Sequence, residues 1–345
     1  MAVARYDIVV AGAGVAAAVA AFAAARLGRH VAIVGEGAPH KAGEGLADSA
    51  AAVLRGLGLG DLLTEVHHVR CHGVTCVTAK RRAVHPWPGL ILDRARFNAD
   101  LVAAAVAAGC EHRLGEVSEV TASQAGNGFT IGIKTGNARK TISAAMIIDA
   151  TGRKAAVARR IGATRRVTTN LVAAWATLPA IEVAAEPGTL AIEALDSHWC
   201  YLAVGRRAAS AAILGRRPPR DAASWLQAAR RTSLLSGVTS VTSVRPVMQP
   251  ANVSMLEPVC GDGWLACGDA AATFDPLSGY GLAFAIGTGY AAARSADAQL
   301  RGDRLAPLAF SALVSDRIAR AWTGLEGAYA TLALAPMGAA LMGAA

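Results

Sequence analysis

Gly12, Gly14 and Ala17 stand as G-x-G-x-x-A, and Glu36 follows after roughly twenty more residues. Residues of these types at this spacing bind dinucleotides. The first glycine permits a tight turn, the second lets a pyrophosphate approach the backbone, and a small third residue lets a helix lie close to the strand before it. Phosphates gripped this way need no side chain, because the N–H groups and dipole of a helix N-terminus face them. An acid just past the next strand accepts hydrogen bonds from ribose hydroxyls and disfavours a 2′-phosphate. Two further groups of residues could serve the same ligand. Asp149-Ala150-Thr151-Gly152 puts small residues where backbone can come close to a cofactor, and Gly268-Asp269 precedes Asp275-Pro276-Leu277-Ser278-Gly279-Tyr280-Gly281.

The elements around these residues give them meaning, since 36 glycines and abundant alanine would produce such strings by chance. Residues 7–11 are a short continuous apolar run, as in a strand buried on both faces; an Ala-rich helix follows, and 31–34 repeats the strand pattern. A loop is expected over 37–45 and a helix over 47–57. A hairpin is expected over 66–84, then a helix that Asp93 caps and Gly109 stops. Strands are expected over 116–122, 129–133 and 141–148, with turns at Asn127-Gly128 and Gly136-Asn137. Between 167 and 254 the pattern becomes β-rich, with strands over 171–178, 198–204, 209–214 and 240–247 and one helix over 221–234. The segment 263–269 returns as a buried strand, and helices run to about 300 and from about 306 to 322. The expected architecture is α/β: a Rossmann-type domain from 1–165 and 255–322, with a hairpin region near 64–92, interrupted by a mostly antiparallel sheet domain over 166–254. A C-terminal tail spans 323–345.

Composition removes several classes of function. With 53% apolar and 17% charged residues in 345, the chain buries a large core. Its net charge of +9 suits an acidic protein partner or substrate, but the arginines fall in scattered pairs without aromatic interleaving, which argues against nucleic-acid binding. Six cysteines at irregular spacing read as buried thiols of a reducing, cytoplasmic compartment rather than disulfides or a metal site. Among eight histidines only His67-His68 are adjacent, and no His-x-x-x-His argues for metal. The apolar run over 15–25 is too short to span a bilayer, and the Ala-rich end is interrupted by Pro336 and glycines, so a membrane role is not expected.

Taken together, the G-x-G-x-x-A with Glu36, Asp149 to Gly152, and Gly268-Asp269 with Pro276 to Gly281 resemble the FAD-dependent monooxygenases of the para-hydroxybenzoate-hydroxylase type over residues 5–320. The chain looks most like the tryptophan-halogenase-like and geranylgeranyl-reductase-like branch, which includes flavoprotein maturases that hydroxylate tryptophan in quinone-cofactor amine oxidases. The resemblance implies a glutathione-reductase-like FAD domain. Gly12, Gly14, Ala17 and Glu36 would then hold the ADP half, and Gly152, Gly268 and Asp269 would approach the ribityl chain. Asp269 could instead cap a helix. Pro276, Ser278, Gly279 and Gly281 would direct backbone N–H groups at the flavin pyrimidine edge. Arg94 matches a family arginine near the phosphates or ribityl, or is a solvated helix charge; Gly43 and Glu44 match a loop near the flavin, where Glu44 could also cap the next helix.

The implied activity is hydroxylation of an electron-rich, aromatic substrate through a flavin C4a-hydroperoxide. That substrate is a small molecule or an aromatic side chain, such as tryptophan, in a partner polypeptide. Reductant would be NAD(P)H or an external electron donor, because no second G-x-G-x-x-G follows a strand. A flavin-dependent reductase or dehydrogenase acting on a C=C bond is the alternative. Halogenation is disfavoured: Trp175-Ala176-Thr177-Leu178-Pro179 only partly echoes the halogenase motif, and no motif positions Lys41 or Lys80 as the catalytic lysine. Trp175, His198, Trp199, Tyr201 and Tyr280 are the pocket candidates, each equally readable as core.

Overall fold

A computed structural model describes residues 3–37, 43–123, 128–195, 198–240 and 244–331. The chain opens with β1 (Ala4–Ala11), helix α1 (Val15–Arg26) and β2 (Val31–Val34). The buried runs pair in parallel, Ile8 opposite Val31 and Ala11 opposite Val34. After β3 (Gly43–Ala47), α2 (Asp48–Gly56), β4 (Val69–Val77) and β5 (Arg82–Asp93) comes α3 (Arg94–Ala107), where the Asp93 carboxylate caps the helix by accepting from the Arg96 N–H. Next are β6 (Glu111–Arg113), β7 (Glu116–Ala122), β8 (Phe129–Thr135), β9 (Ala138–Asp149), α4 (Ala156–Arg160) and β10 (Thr164–Val167).

The middle of the chain forms β11 (Val172–Pro179), β12 (Leu190–Ala194), β13 (His198–Val204), β14 (Ala208–Gly215), α5 (Ala222–Ala229) and β15 (Val247–Pro250). The last part gives β16 (Ser254–Glu257), β17 (Cys260–Gly261), β18 (Trp264–Ala266), β19 (Ala272–Thr273), α6 (Gly281–Leu300) and α7 (Ala306–Thr331). Two sheets dominate. The first runs β17-β18-β9-β1-β2-β6, with β8 and β7 continuing from β9; its β18, β9, β1, β2 and β6 are parallel. The second runs β15-β11-β14-β13-β12-β4-β5-β3 and is antiparallel except where β12 lies parallel to β4. The architecture is therefore a Rossmann-type α/β sheet joined to a mostly antiparallel one.

Small residues decide how tightly the first sheet is covered. A side chain at Gly289 of α6 would stand 2.6 Å from the Ala16 carbonyl oxygen of α1, and one at Gly268 would stand 2.7 Å from Ala16 Cβ. The Ala-rich helices thus meet backbone to backbone over the C-terminal ends of β1 and β18. The second sheet buries both faces: one packs Trp175, Trp199 and Tyr201 against Leu325 and Tyr329 of α7, the other packs Leu202, Ile213 and Trp225 of α5.

Several elements differ from the expectations above. Residues 43–47 form an edge strand rather than part of a loop, because β5 pairs with them from Gly89 to Asp93 and Ser210 Oγ accepts from the Gly43 N–H at 3.0 Å. Helix α5 ends at Ala229, short of the expected 234, since the buried carboxylate of Glu193 accepts from the backbone N–H groups of Ser233 and Leu234 and draws the chain off the helix. Of the strand expected over 240–247, residues 241–243 lie outside the described residues; Ser236–Ser240 forms a 3-10 turn and the described strand is Val247–Pro250. Helix α7 continues to Thr331. Lys41, Asn127 and the Ala-rich end beyond 331 lie outside the described residues. No helix among the described residues is long and apolar enough to cross a membrane.

Candidate functional site

The turn after β1 is fixed by sterics. Gly12 has φ of +117°, and a Cβ there would lie 2.2 Å from the Ala150 carbonyl oxygen, so only glycine lets the first loop nest against the loop after β9. Ala17 is fully buried beneath that turn. Gly14, the N-cap of α1, makes no side-chain cap bond, and a Cβ there would meet nothing within 4 Å. The first-turn N–H groups of α1 therefore open onto a cavity of about 630 Å³, which Gly14, Val15 and Ala16 line.

Asp149 holds the second loop from within. Its buried carboxylate accepts from the N–H and hydroxyl of Thr151, at 2.9 and 2.7 Å, and from the N–H groups of Val157 and Ala158. That leaves Ala150, Gly152 and Arg153 on the cavity wall. Gly268 donates its N–H to Thr288 Oγ1 at 2.9 Å, and this bond delivers Asp269 to the cavity. The Asp269 side chain is 44% exposed and stands 3.8 Å from Arg153 Nε. Arg165 donates to the backbone carbonyls of Asp269 and Ala270. Burial pushes both guanidinium groups below the usual arginine range, while Asp269 pulls them back up.

A third wall comes from the loop before α6. Pro276, Ser278, Gly279 and Gly281 all line the cavity, and Tyr280, the N-cap of α6, makes no side-chain cap bond. Asp275 fixes this loop: Oδ1 accepts from the Leu277 N–H at 2.9 Å and Oδ2 from the Tyr329 hydroxyl at 2.6 Å. Burial pushes the Asp275 carboxyl up to about 6, with the two hydrogen bonds acting against it. Arg94 lies across the cavity, ion-paired with Glu44 and bonded to Asn98, so it is not a solvated charge; its buried Nε has no hydrogen-bond partner among the described residues.

The far end of the cavity is the inner face of the second sheet. Trp175 and Tyr201 line it, edge to face at 5.3 Å, and burial pushes the Tyr201 phenol up. Tyr280 lines it near Phe274. The other candidates are not brought together. Trp199 is fully buried in the core beside the Tyr329 phenol, and His198 stands at the start of β13 with Nε2 3.3 Å from the Arg217 carbonyl; neither lines the cavity. Gly43 is packed 2.9 Å from the Ala203 carbonyl oxygen as judged by an added Cβ, and leaves the wall to Glu44 and Gly45. Glu36 is exposed just past β2, outside the enclosed volume. Gly12, Ala17 and Gly268 shape the site from behind. Arg153, and the sheet residues Val74, Cys76, His85, Trp87, Ile192 and Gln249, also line it. The alternation of β5, where His85 and Trp87 share a half-buried face, is the one sequence signal that could have revealed them.

No protein-family model matches the chain. Menaquinone reductase of Mycolicibacterium smegmatis is 28% identical over a span covering 84% of this chain and 76% of the relative. Among solved structures, the peptidyl tryptophan dihydroxylase QhpG superposes with a TM-score of 0.78 at 23% identity, covering 95% of this chain and 75% of that one. The flavin-dependent brominase Bmp2 superposes at 0.76 and 19% identity, covering 93% and 89%. The chain has the fold of the FAD-dependent flavoprotein superfamily. In this flavoprotein fold two long helices, α1 and α6, turn uncapped N-termini to one cavity, and Gly14, Gly152, Gly279 and Gly281 leave open space where a Cβ would be. Arg94, ion-paired with Glu44, lines the same cavity. An elongated, phosphate-bearing cofactor fits these residues.

Proposed function

We propose that the chain is an FAD-dependent monooxygenase that hydroxylates an electron-rich, ring-bearing substrate. The observation that best supports this reading is one cavity of about 630 Å³ lined both by the N-terminal residues of α1 and α6 and by Trp175 and Tyr201 of the second sheet. Residues 1–165 and 255–322 would hold FAD, and residues 166–254 together with β4 and β5 would supply the substrate wall. The N–H groups of α1 beyond Gly14 hold the pyrophosphate, Glu36 meets the adenosine ribose, and Asp269 accepts from ribityl hydroxyls. The N-terminus of α6, presented by Pro276 to Gly281, stabilises negative charge at the pyrimidine edge. Bound FAD supplies the redox chemistry, with electrons from NAD(P)H or an external donor. Trp175, Tyr201 and Tyr280 exclude water and orient the substrate. The substrate is a small molecule or an aromatic residue of a polypeptide, and the net charge of +9 suits an acidic partner.

The menaquinone reductase relative favours a second reading, reduction of a double bond in an apolar substrate. Halogenation lacks a lysine at the cavity among the described residues, since Lys80 is exposed in the β4–β5 turn. Purified protein is expected to be yellow and to release FAD on denaturation. Asp269→Ala should weaken FAD retention by about 10-fold or more, the loss of one hydrogen bond to a charged group. Substrate-dependent oxygen uptake supports oxygenation; turnover that proceeds under anaerobic conditions overturns it in favour of reduction.

A further inference from the structure

Strands β18, β9 and β1 lie side by side and parallel, so the loops at their C-terminal ends open onto one rim of the cavity. The N-terminus of α1 follows β1, and Asp269 follows β18. The loop after β9 stands between them and presents Arg153, whose side chain lines the cavity and is 31% exposed. Its guanidinium is held at one corner. Nη1 donates to the Asn252 carbonyl oxygen at 3.1 Å and to Asn252 Oδ1 at 2.9 Å. Nε stands 3.8 Å from Asp269 Oδ2, beyond hydrogen-bond length, and Nη2 makes no hydrogen bond to the described residues. Charge is out of balance here as well. Arg153, Arg159, Asp149 and Asp269 all act on Arg165, so guanidinium groups outnumber carboxylates around this loop. The Asp149 carboxylate is already met by Thr151, Val157 and Ala158, which leaves Asp269 shared between Arg153 and Arg165. A partly buried guanidinium with donors to spare and an excess of positive charge beside it calls for an anion.

We propose that Arg153 is a phosphate-binding residue of this cavity, turning its Nη2 to the diphosphate of the bound dinucleotide. A molecule that reaches from the N-terminus of α1 to Asp269 crosses the end of β9, where Arg153 stands. The helix terminus alone offers only about half a positive charge, and a guanidinium adds a full charge with planar donors that match phosphate oxygens. Gly152, with φ of +71° and open space where a Cβ would be, keeps the backbone beside Arg153 clear for the ligand. Asn252, on the link between β15 and β16, is the positioning partner that fixes the guanidinium. The inference rests on the flavoenzyme reading for which dinucleotide is bound, while the preference for a diphosphate stands apart from the flavin.

Equilibrium dialysis of the full-length protein, freed of bound flavin, with FAD, ADP and riboflavin tests it. FAD and ADP carry the diphosphate, and riboflavin does not. Arg153→Met should weaken FAD and ADP binding by at least about tenfold each, the loss of a hydrogen bond between charged groups, and change riboflavin binding by less than about twofold. Arg153→Lys, which restores the charge without the planar fork, should stay within about threefold of wild type for both phosphate-bearing probes. Salt gives a second readout: raising sodium chloride from about 0.05 to about 0.5 M should weaken FAD binding less in Arg153→Met than in wild type. Unchanged FAD and ADP affinities in Arg153→Met, or equal losses for all three probes, as a merely structural arginine would give, overturn the proposal and leave the flavin reading in place. Wild type that binds ADP through Arg153 but neither flavin would sink the flavin reading and leave this one standing, and wild type that binds none of the three overturns both.

Discussion

Asp275 couples the loop before α6 to α7 through a single buried carboxyl, and its protonation sets a pH dependence. Its folded value, about 6, lies above the ordinary 3.8. The folded state therefore keeps a proton that the unfolded chain has already lost, and stability falls as pH rises from about 4 to about 6 before levelling. Asp275→Asn keeps an acceptor and adds a donor without a charge to bury. The variant's melting temperature relative to wild type should therefore rise across that window and stay flat above pH 7; a constant difference from pH 4 to 8 refutes the assignment. At this scale the sequence was readable where a residue type has few uses. Gly12 is confined by its backbone, and Asp269 follows a buried strand. Asp149 was not readable as the anchor of its loop, because the N–H groups it accepts belong to Val157 and Ala158, which only the fold of α4 turns toward it. His85 was equally obscure, since an isolated histidine before a proline has no periodicity of its own.

The contact of α1 with α6 is the element-level device that aims both helix N-termini at one volume. It depends on having no side chain at Gly289, whose Cβ would stand 2.6 Å from the Ala16 carbonyl oxygen. Gly289→Leu should force the helices apart and destabilise the fold by about 3 kcal/mol or more, beyond the usual cost of overpacking because the obstacle is backbone. Urea unfolding monitored by circular dichroism should show the loss as a lower midpoint, and an unchanged midpoint refutes the close contact. Elements built from continuous apolar runs, such as β1 and β2, follow from local sequence. Strand β3 and the end of α5 do not: one exists because β5 offers a partner, and the other stops where Glu193 captures the backbone.

For the whole molecule, the cavity spans the join between the two sheets, so a ligand that fills it binds the folded state alone. FAD at about 100 times its dissociation constant should add about 2.7 kcal/mol of stability, a rise of several degrees in melting temperature, whereas NAD⁺ should add much less. Identical responses to the two nucleotides refute the cofactor assignment. The sequence by itself determined the Rossmann start, the small residues at its turns and the β-rich middle, because each arises from steric limits and periodicities spanning a few neighbouring residues. Only the tertiary structure decided that the β4–β5 hairpin joins the second sheet through parallel pairing with β12, residues more than a hundred positions away. That pairing places His85 and Trp87 on the cavity and leaves His198 and Trp199 off it. Long-range register has no local signature, since the same alternating strand could have paired with any free edge.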